Sequence, residues 1–387
     1  MTKEYDYIIA GSGCSGLSLL YRMLDSGTLK DKKILVIEKE DKNKNDRTWC
    51  YWEAGMGLFE HLVIKRWKNL TFSTGDFAVE ADMKRYEYKM IRGIDFYEHI
   101  LSKAKEFENV DLVKETIGDF HPSTDHALVQ TDRAKYRARY VFNSTGIGTP
   151  HMDVRNTLLQ HFEGWVIRLE EPFFDENKAT LMDFSVSQEH GTTFVYVLPT
   201  STTEALVEYT FFSERILEKE QYHELLTYYI ANDLGIQNYE IAHREFGIIP
   251  MSLVNFSSTM SPNKRIINIG TSGGFTRAST GYTFQNIQRK TSEIVANLEK
   301  NEPPLPDETF RDKMFQWYDK TLLDVLISKK LGGKEVFHHM FRKIEFESIL
   351  AFLGNESTPY QELKIMNSVP LGPFMGSGIK QLVKFNA

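Results

Sequence analysis

The sequence predicts an α/β protein: parallel strands and helices around a nucleotide site, interrupted by an antiparallel sheet and closed by a helical C-terminal region. Three observations predict it. A strand, a glycine turn, a helix and a second strand follow one another within the first 40 residues. Long β-rich runs fill the stretch from His161 to Ser213, and apolar residues at helical spacing follow Pro306.

The opening element is Tyr7-Ile8-Ile9-Ala10, an apolar run of strand length. The turn Gly11-Ser12-Gly13-Cys14-Ser15-Gly16 then leads into Leu17-Ser18-Leu19-Leu20, and Lys33-Ile34-Leu35-Val36-Ile37 ends on Glu38, 22 residues past Gly16. This is a Rossmann-type arrangement. Its glycines let the backbone approach a pyrophosphate at a helix N-terminus, and the acid can take a ribose hydroxyl. Gly11, Gly13, Ser15, Gly16 and Glu38 are therefore candidate cofactor-binding residues.

Asp46-Arg47-Thr48-Trp49-Cys50-Tyr51-Trp52-Glu53 follows, too aromatic to be a linker. Residues 62–90 read as short strands, Phe96–Phe107 as a helix, and Val110–Thr131 as strand runs split by turns. Val141-Phe142-Asn143-Ser144-Thr145-Gly146 is a strand closing on a small-residue turn. Strands are expected at 164–168, 179–184, 193–199 and 205–212, and a helix at 214–233. The chain then returns through Ile266-Ile267-Asn268-Ile269 to Gly270-Thr271-Ser272-Gly273-Gly274, Ser279-Thr280-Gly281-Tyr282 and a helix. Amphipathic helices are expected at 310–330 and 334–353, before a tail broken by Pro and Gly.

At 387 residues the chain exceeds what one core usually serves, so closely packed domains are expected. A net charge of −7 argues against a nucleic-acid partner. Cys14 and Cys50 are the only cysteines, which leaves no disulfide framework or cysteine cage and suits a reducing cytosol. Strand sequence begins by Tyr5, without room for a signal peptide, and nothing reaches the roughly 18 apolar residues a membrane span requires. The adjacent His338-His339 point to different helix faces, so no metal site is expected.

Three separated segments fit FAD better than a nicotinamide nucleotide alone: the opening turn with Glu38, the turn at Thr145 and Gly146, and the turns carrying Gly273, Gly274, Thr280 and Gly281. A glycine-rich strand exit before a helix suits the flavin's ribityl and pyrimidine end. The expected fold is thus a Rossmann-type FAD-binding domain (residues 1–60, 96–155 and 261–302) with an inserted antiparallel-sheet substrate domain (61–95 and 156–260). A helical C-terminal region spans 303–387.

Nearly end to end, the chain resembles the bacterial-type flavin-dependent lycopene β-cyclases. The resemblance rests on Asp46–Cys50, Glu163-Gly164-Trp165, Pro172-Phe173-Phe174-Asp175, Ala179–Phe184, Val197-Leu198-Pro199, Ala205–Thr210, Gly247–Met251 and Thr280-Gly281-Tyr282. Wider FAD enzymes usually place an acid after the glycine where this chain has Thr271; the cyclases are similar to it in lacking one. The resemblance implies a reaction without net redox. An acid protonates the ψ end of an acyclic carotene, the ring closes on the cation, and a ring proton leaves. FAD in its reduced form, maintained by NAD(P)H, would stabilise the cation.

The acid it implies is Glu208, in the apolar run Ala205-Leu206-Val207-Glu208-Tyr209. Keeping a glutamic acid half protonated at neutral pH needs about 3.7 kcal/mol, which an apolar pocket can supply. Asp183 is a second carboxyl candidate, for proton relay or cation stabilisation, and Arg47 and Thr48 are further candidate cofactor contacts. Trp49, Trp52, Trp165, Tyr196 and Tyr282 are candidates to line the cavity. An apolar substrate implies peripheral contact with the inner face of the cell membrane, for which 369–375 is the candidate segment. The rival reading is a redox flavoenzyme on an isoprenoid, such as a geranylgeranyl reductase or a hydroxylase.

Overall fold

The computed structural model describes residues 2–386, with side chains through Val383. Met1 and Ala387, the ends of the expected first and last segments, lie outside the described residues.

The chain opens with β1 (Lys3–Ala10), α1 (Cys14–Asp25) and β2 (Ile34–Glu38). There follow β3 (Thr48–Glu53), β4 (Lys65–Trp67), β5 (Asn69–Ser73), β6 (Ala78–Asp82), β7 (Glu87–Arg92) and α2 (Gly93–Ala104). Next come β8 (Val110–Lys114), β9 (Ile117–Pro122), β10 (Ala127–Thr131) and β11 (Lys135–Asn143). The strands β12 (Thr157–Arg168), β13 (Lys178–Asp183), β14 (Thr192–Pro199) and β15 (Glu204–Ser213) lead through α3 (Lys219–Tyr228) to β16 (Glu240–Ser252). The chain returns through β17 (Ile266–Asn268) and α4 (Phe284–Glu299). It closes with α5 (Phe310–Ile327), α6 (Gly333–Lys343), α7 (Phe346–Leu353), α8 (Pro359–Ser368) and α9 (Leu371–Asn386).

In the first sheet β8, β2, β1, β11 and β17 run parallel, with β17 beside the end of β11 and β10 and β9 continuing antiparallel beside its start. Parallel strands are covered on both faces, which is why Ile8, Ile9, Leu35 and Val141 are all buried and the runs show no alternation. Leu17 and Leu20 of α1, Phe96 of α2 and Ile294 of α4 fill one face; Phe120, Val129 and Tyr136 fill the other.

The second sheet has the order β16-β12-β15-β14-β13-β5-β6, antiparallel except for the parallel pair β13–β5. Alternation assigns its residues to two cores. Phe72 stacks on Phe341 of α6 at 3.9 Å, and Phe184 packs on Phe337, beneath the C-terminal helices. Trp165, Val207, Tyr209 and Phe211 face α3. The expected substrate-side strands of 61–95 divide: β5 and β6 extend this sheet, while β4 and β7 pair with β3 in a small third sheet.

The helix expected over 334–353 is two helices. Ile344 is extended (φ −120°, ψ 140°), and Glu345 caps a new start. The tail expected to be broken is helical instead, because Pro359 stands at the first position of α8 and Pro373 in the first turn of α9, where no backbone donor is needed. Helix α9 is tethered inward by buried Asp324 of α5, which accepts from Ser377 (2.7 Å), Lys380 (2.5 Å) and Gln381 (3.1 Å). Its outer face carries Leu371, Met375, Ile379, Leu382 and Val383, each at least 50% exposed.

Candidate active site

A cavity of about 480 Å³ lies between the opening glycine turn, β3, the helix-covered face of the second sheet and the loop from Gly270 to Phe284. At its nucleotide end Gly11 has φ +99°, and Gly16 is packed so tightly on the Gly11 carbonyl that no Cβ fits. Gly13 caps α1 without a side-chain hydrogen bond, and nothing lies within 4 Å of where its Cβ would stand. The first amides of α1 thus face open space, an arrangement that binds anions. Glu38 is a clamp on this turn: Oε2 accepts from the Ser12 amide (2.8 Å) and hydroxyl (2.9 Å), and Oε1 from the Lys39 and Glu40 amides (2.9 and 3.1 Å). Burial works against its charge, but these donors and Lys42 outweigh it, and the carboxyl titrates below its usual range.

Thr145 donates its amide (3.0 Å) and hydroxyl (2.6 Å) to Asn143 Oδ1, and its carbonyl accepts from Ser272, so the second turn is locked to the third. It is Ser144 that reaches the cavity wall, rather than Thr145 or Gly146. In the third segment Gly270 (φ +65°) and Thr271 line the cavity, whereas Gly273 packs on the Asn268 carbonyl and Gly274 on Phe256, facing a neighbouring pocket. Thr280 and Gly281 line the cavity, and a Cβ on Gly281 would run into the Gln160 amide. Ser15 Oγ, Gln160 Oε1 and Thr280 Oγ1 are buried there without a protein partner. An open helix N-terminus, a glycine cradle and these three orphaned atoms together form a donor set that fits FAD.

The opposite end is built on Gly164 of β12. Across the ladders Gly164 faces Glu208 of β15 on one side and Glu245 of β16 on the other, so both carboxyls stand on one face over a residue without a side chain. A Cβ at 164 would lie 3.2 Å from Glu245 Cγ and 3.5 Å from Glu208 Cβ. The two carboxyls interact, which favours the protonated form of Glu208 and the charged form of Glu245. Thr210 donates to Glu208 Oε1 (3.0 Å) and Thr48 to Glu245 Oε2 (2.7 Å). Burial, then the charge of Glu245, pushes Glu208 well above the usual carboxylate range. Burial pushes Glu245 up to about 7, with Thr48 and Arg47 opposing. Phenols and a thiol surround the pair. Tyr196 and Tyr282 place their hydroxyls 3.3 Å apart, Trp52 packs edge-on to Tyr282 at 4.6 Å, and burial holds Tyr88, Tyr196, Tyr282 and Cys50 protonated.

The family model described as lycopene cyclase protein matches residues 6–377. The chain belongs to the lycopene cyclase family. A lycopene beta-cyclase of Pantoea ananas is 23% identical over 294 residues, which cover 73% of this chain and 72% of that protein. Among solved structures, a geranylgeranyl bacteriochlorophyll reductase-like protein of Thermoplasma acidophilum superposes with a TM-score of 0.62 at 14% identity, covering 100% of both chains. The halogenase PltM superposes with a TM-score of 0.62 at 11% identity, over 99% of this chain and 96% of that one. Both likenesses are of fold.

In this family member Glu208, Arg47, Thr48 and Trp49 meet at one cavity with Tyr196 and Tyr282. Arg47 donates to the Phe246 carbonyl (3.1 Å), and Thr48 turns to Glu245. Asp183 is not in this wall: at the end of β13 it accepts from the Tyr229 hydroxyl (2.7 Å) and the Ser185 amide (2.9 Å), as a strand-end cap does. Trp165 lies on the other sheet face, donating to Glu163 (2.7 Å). Glu245 and Gln160 escaped sequence reasoning. The one signal for Glu245 was Gly164, a glycine in mid-strand, where another group approaches closely. Among the described residues no group of three or more His, Cys, Asp and Glu side chains could hold a metal.

Proposed function

We propose that this chain is a flavin-dependent cyclase that closes the ψ ends of lycopene, or a related acyclic carotenoid, into β-ionone rings without net redox change. The observation that carries the reading is Glu208, a carboxyl held in its protonated form in a cavity that also contains the nucleotide turn. Glu208 donates its proton to the terminal double bond, and the electron pair of an internal double bond forms the ring C–C bond. A ring proton then leaves to restore a double bond, so one proton enters and one departs. The rings of Trp49, Tyr88, Tyr196 and Tyr282 present electron-rich faces to the cation.

FAD would be held by Gly11, Gly13, Ser15 and Gly16, by Ser144, Gly270 and Thr271, and by Thr280 and Gly281. Reduced with NAD(P)H, it would supply negative charge near the cation. A membrane-dissolved substrate also requires access from lipid. No helix of the described residues is long and apolar enough to cross a membrane, and the exposed apolar face of α9 is the surface that would dock on one.

The test is expression in a lycopene-accumulating host, with pigments identified by chromatography and mass. Cyclised product of unchanged mass supports the proposal. Added hydrogens or oxygen would make the chain a reductase or hydroxylase. Glu208→Gln is expected to keep flavin and lose at least about a hundredfold in turnover.

A further inference from the structure

We propose that Glu245 is a positioning residue for the Glu208 acid: the two carboxyls, brought together over Gly164, share one proton, and the negative charge on Glu245 keeps that proton on Glu208. The inference rests on the reading of Glu208 as the acid. Its geometry does not depend on that reading.

The register puts Glu208 and Glu245 opposite the same residue of the strand between them, and that residue has no side chain to separate them. Each carboxyl also receives a hydroxyl that favours its charged form, Thr210 on Glu208 and Thr48 on Glu245, so the hydroxyls do not distinguish the two and the neighbouring charges do. Thr48 and the nearby Arg47 guanidinium favour the charged form of Glu245. The remaining groups facing the pair are Asp46 on the Glu245 side and Cys50, Tyr88, Tyr196 and Tyr282 on the Glu208 side, and the last four are neutral. No cation on this list stands against Glu208, so a single proton on the pair resides there. Glu245 is buried and does not line the cavity, so it acts through Glu208.

The arrangement serves both halves of a proton-neutral reaction. When the O–H bond of Glu208 breaks and a C–H bond forms on the CH carbon of the terminal double bond, leaving a tertiary cation beside it, two adjacent carboxylates remain. Their repulsion favours return of a proton to the pair when the ring C–H bond breaks. No oxidant or reductant is consumed.

The test has two readouts. In the first, the rate of lycopene cyclisation by the flavin-loaded, reduced enzyme is measured against pH for the wild type and Glu245→Gln. The alkaline limb is expected to move at least one pH unit lower in the variant, so the rate on that side falls about tenfold or more while the acid-side rate changes little. An unmoved limb overturns the inference. In the second, infrared spectroscopy of the flavin-free wild type follows the carbonyl stretch of protonated carboxyls. A band persisting above pH 7, lost in Glu208→Gln and titrating lower in Glu245→Gln, is expected. Absence of that band in the wild type overturns the inference even if Glu245→Gln fails to fold. Full turnover in Glu208→Gln would instead overturn the acid assignment and leave the infrared result to decide the pairing.

Discussion

Replacing Arg277 with Met removes the hub that ties the loop from Gly270 to Phe284 to the C-terminal helices. Arg277 is 6% exposed and donates through Nε to Asp319 (3.0 Å), through Nη2 to the same carboxylate, and through Nη1 to the carbonyls of Phe352 (2.9 Å) and Leu353 (2.6 Å) at the end of α7. The substitution leaves Asp319, 7% exposed, with the Ser279 hydroxyl at 2.8 Å as its other donor. Breaking a buried ion pair from one side costs about 3–5 kcal/mol, because the remaining charge is uncompensated. Two carbonyls lose partners worth about 1 kcal/mol each, though these losses overlap with the first. A total of at least about 4 kcal/mol is expected, a large part of the roughly 5–15 kcal/mol that stabilises a domain.

Urea denaturation followed by tryptophan fluorescence measures it, as a lower midpoint at unchanged slope. The double variant Arg277→Met/Asp319→Leu removes the orphaned charge and should recover about half the loss or more. A loss below about 1 kcal/mol in the single variant, or no recovery in the double, would refute the reasoning.

Three other outcomes follow from the same geometry. Glu208 and Glu245 bind protons in the folded state that the unfolded chain releases, so their stabilising effect is full below pH 4.5; the part due to Glu245 is lost as pH rises through about 7, and the part due to Glu208 is retained beyond it. The melting temperature of the wild type should therefore fall more steeply over that window than that of Glu245→Gln, and parallel curves would count against the buried pair. Gly281→Ala, at φ +74° and against Gln160, should weaken flavin binding about tenfold or more in a fluorescence titration, and unchanged affinity would remove Gly281 from the cradle. Ile379→Glu with Leu382→Glu should reduce co-sedimentation with lipid vesicles several-fold without altering the melting temperature, since both side chains are at least 50% exposed. Undiminished binding would move the lipid contact elsewhere.

What was legible in the sequence was local. The path from Tyr7 to Glu38 is one contiguous strand–turn–helix–strand, so spacing alone placed Gly13 at the start of α1 and Glu38 at the end of β2. Glu208 was reached through the family resemblance, its apolar neighbours adding only that a carboxyl there is poorly solvated. Glu245 was not reached, because its partner is set by a register across β12 that shifts between Val166 and Ile167 and has no local sequence signal. The same limit explains Gly273 and Gly274. Composition marked the right turn, but only the path of the backbone shows Gly270 taking the cavity-facing place. The tail misled because Pro breaks a helix in its interior but is harmless in a first turn, where Pro359 and Pro373 stand, and because α9 runs on through Gly376 and Gly378 with its packing on α5 holding it.

The two buried acids of α5 have a mechanical consequence. Asp319 holds the Arg277 loop, and Asp324 holds α9. They are five residues apart on one helix, about 7.5 Å along its axis. The outermost helix and the loop bearing Thr280, Gly281 and Tyr282 are thus fastened to a common rod, with no flexible joint between the two attachment points. A force applied to α9 is therefore transmitted through α5 to the loop that lines the cavity.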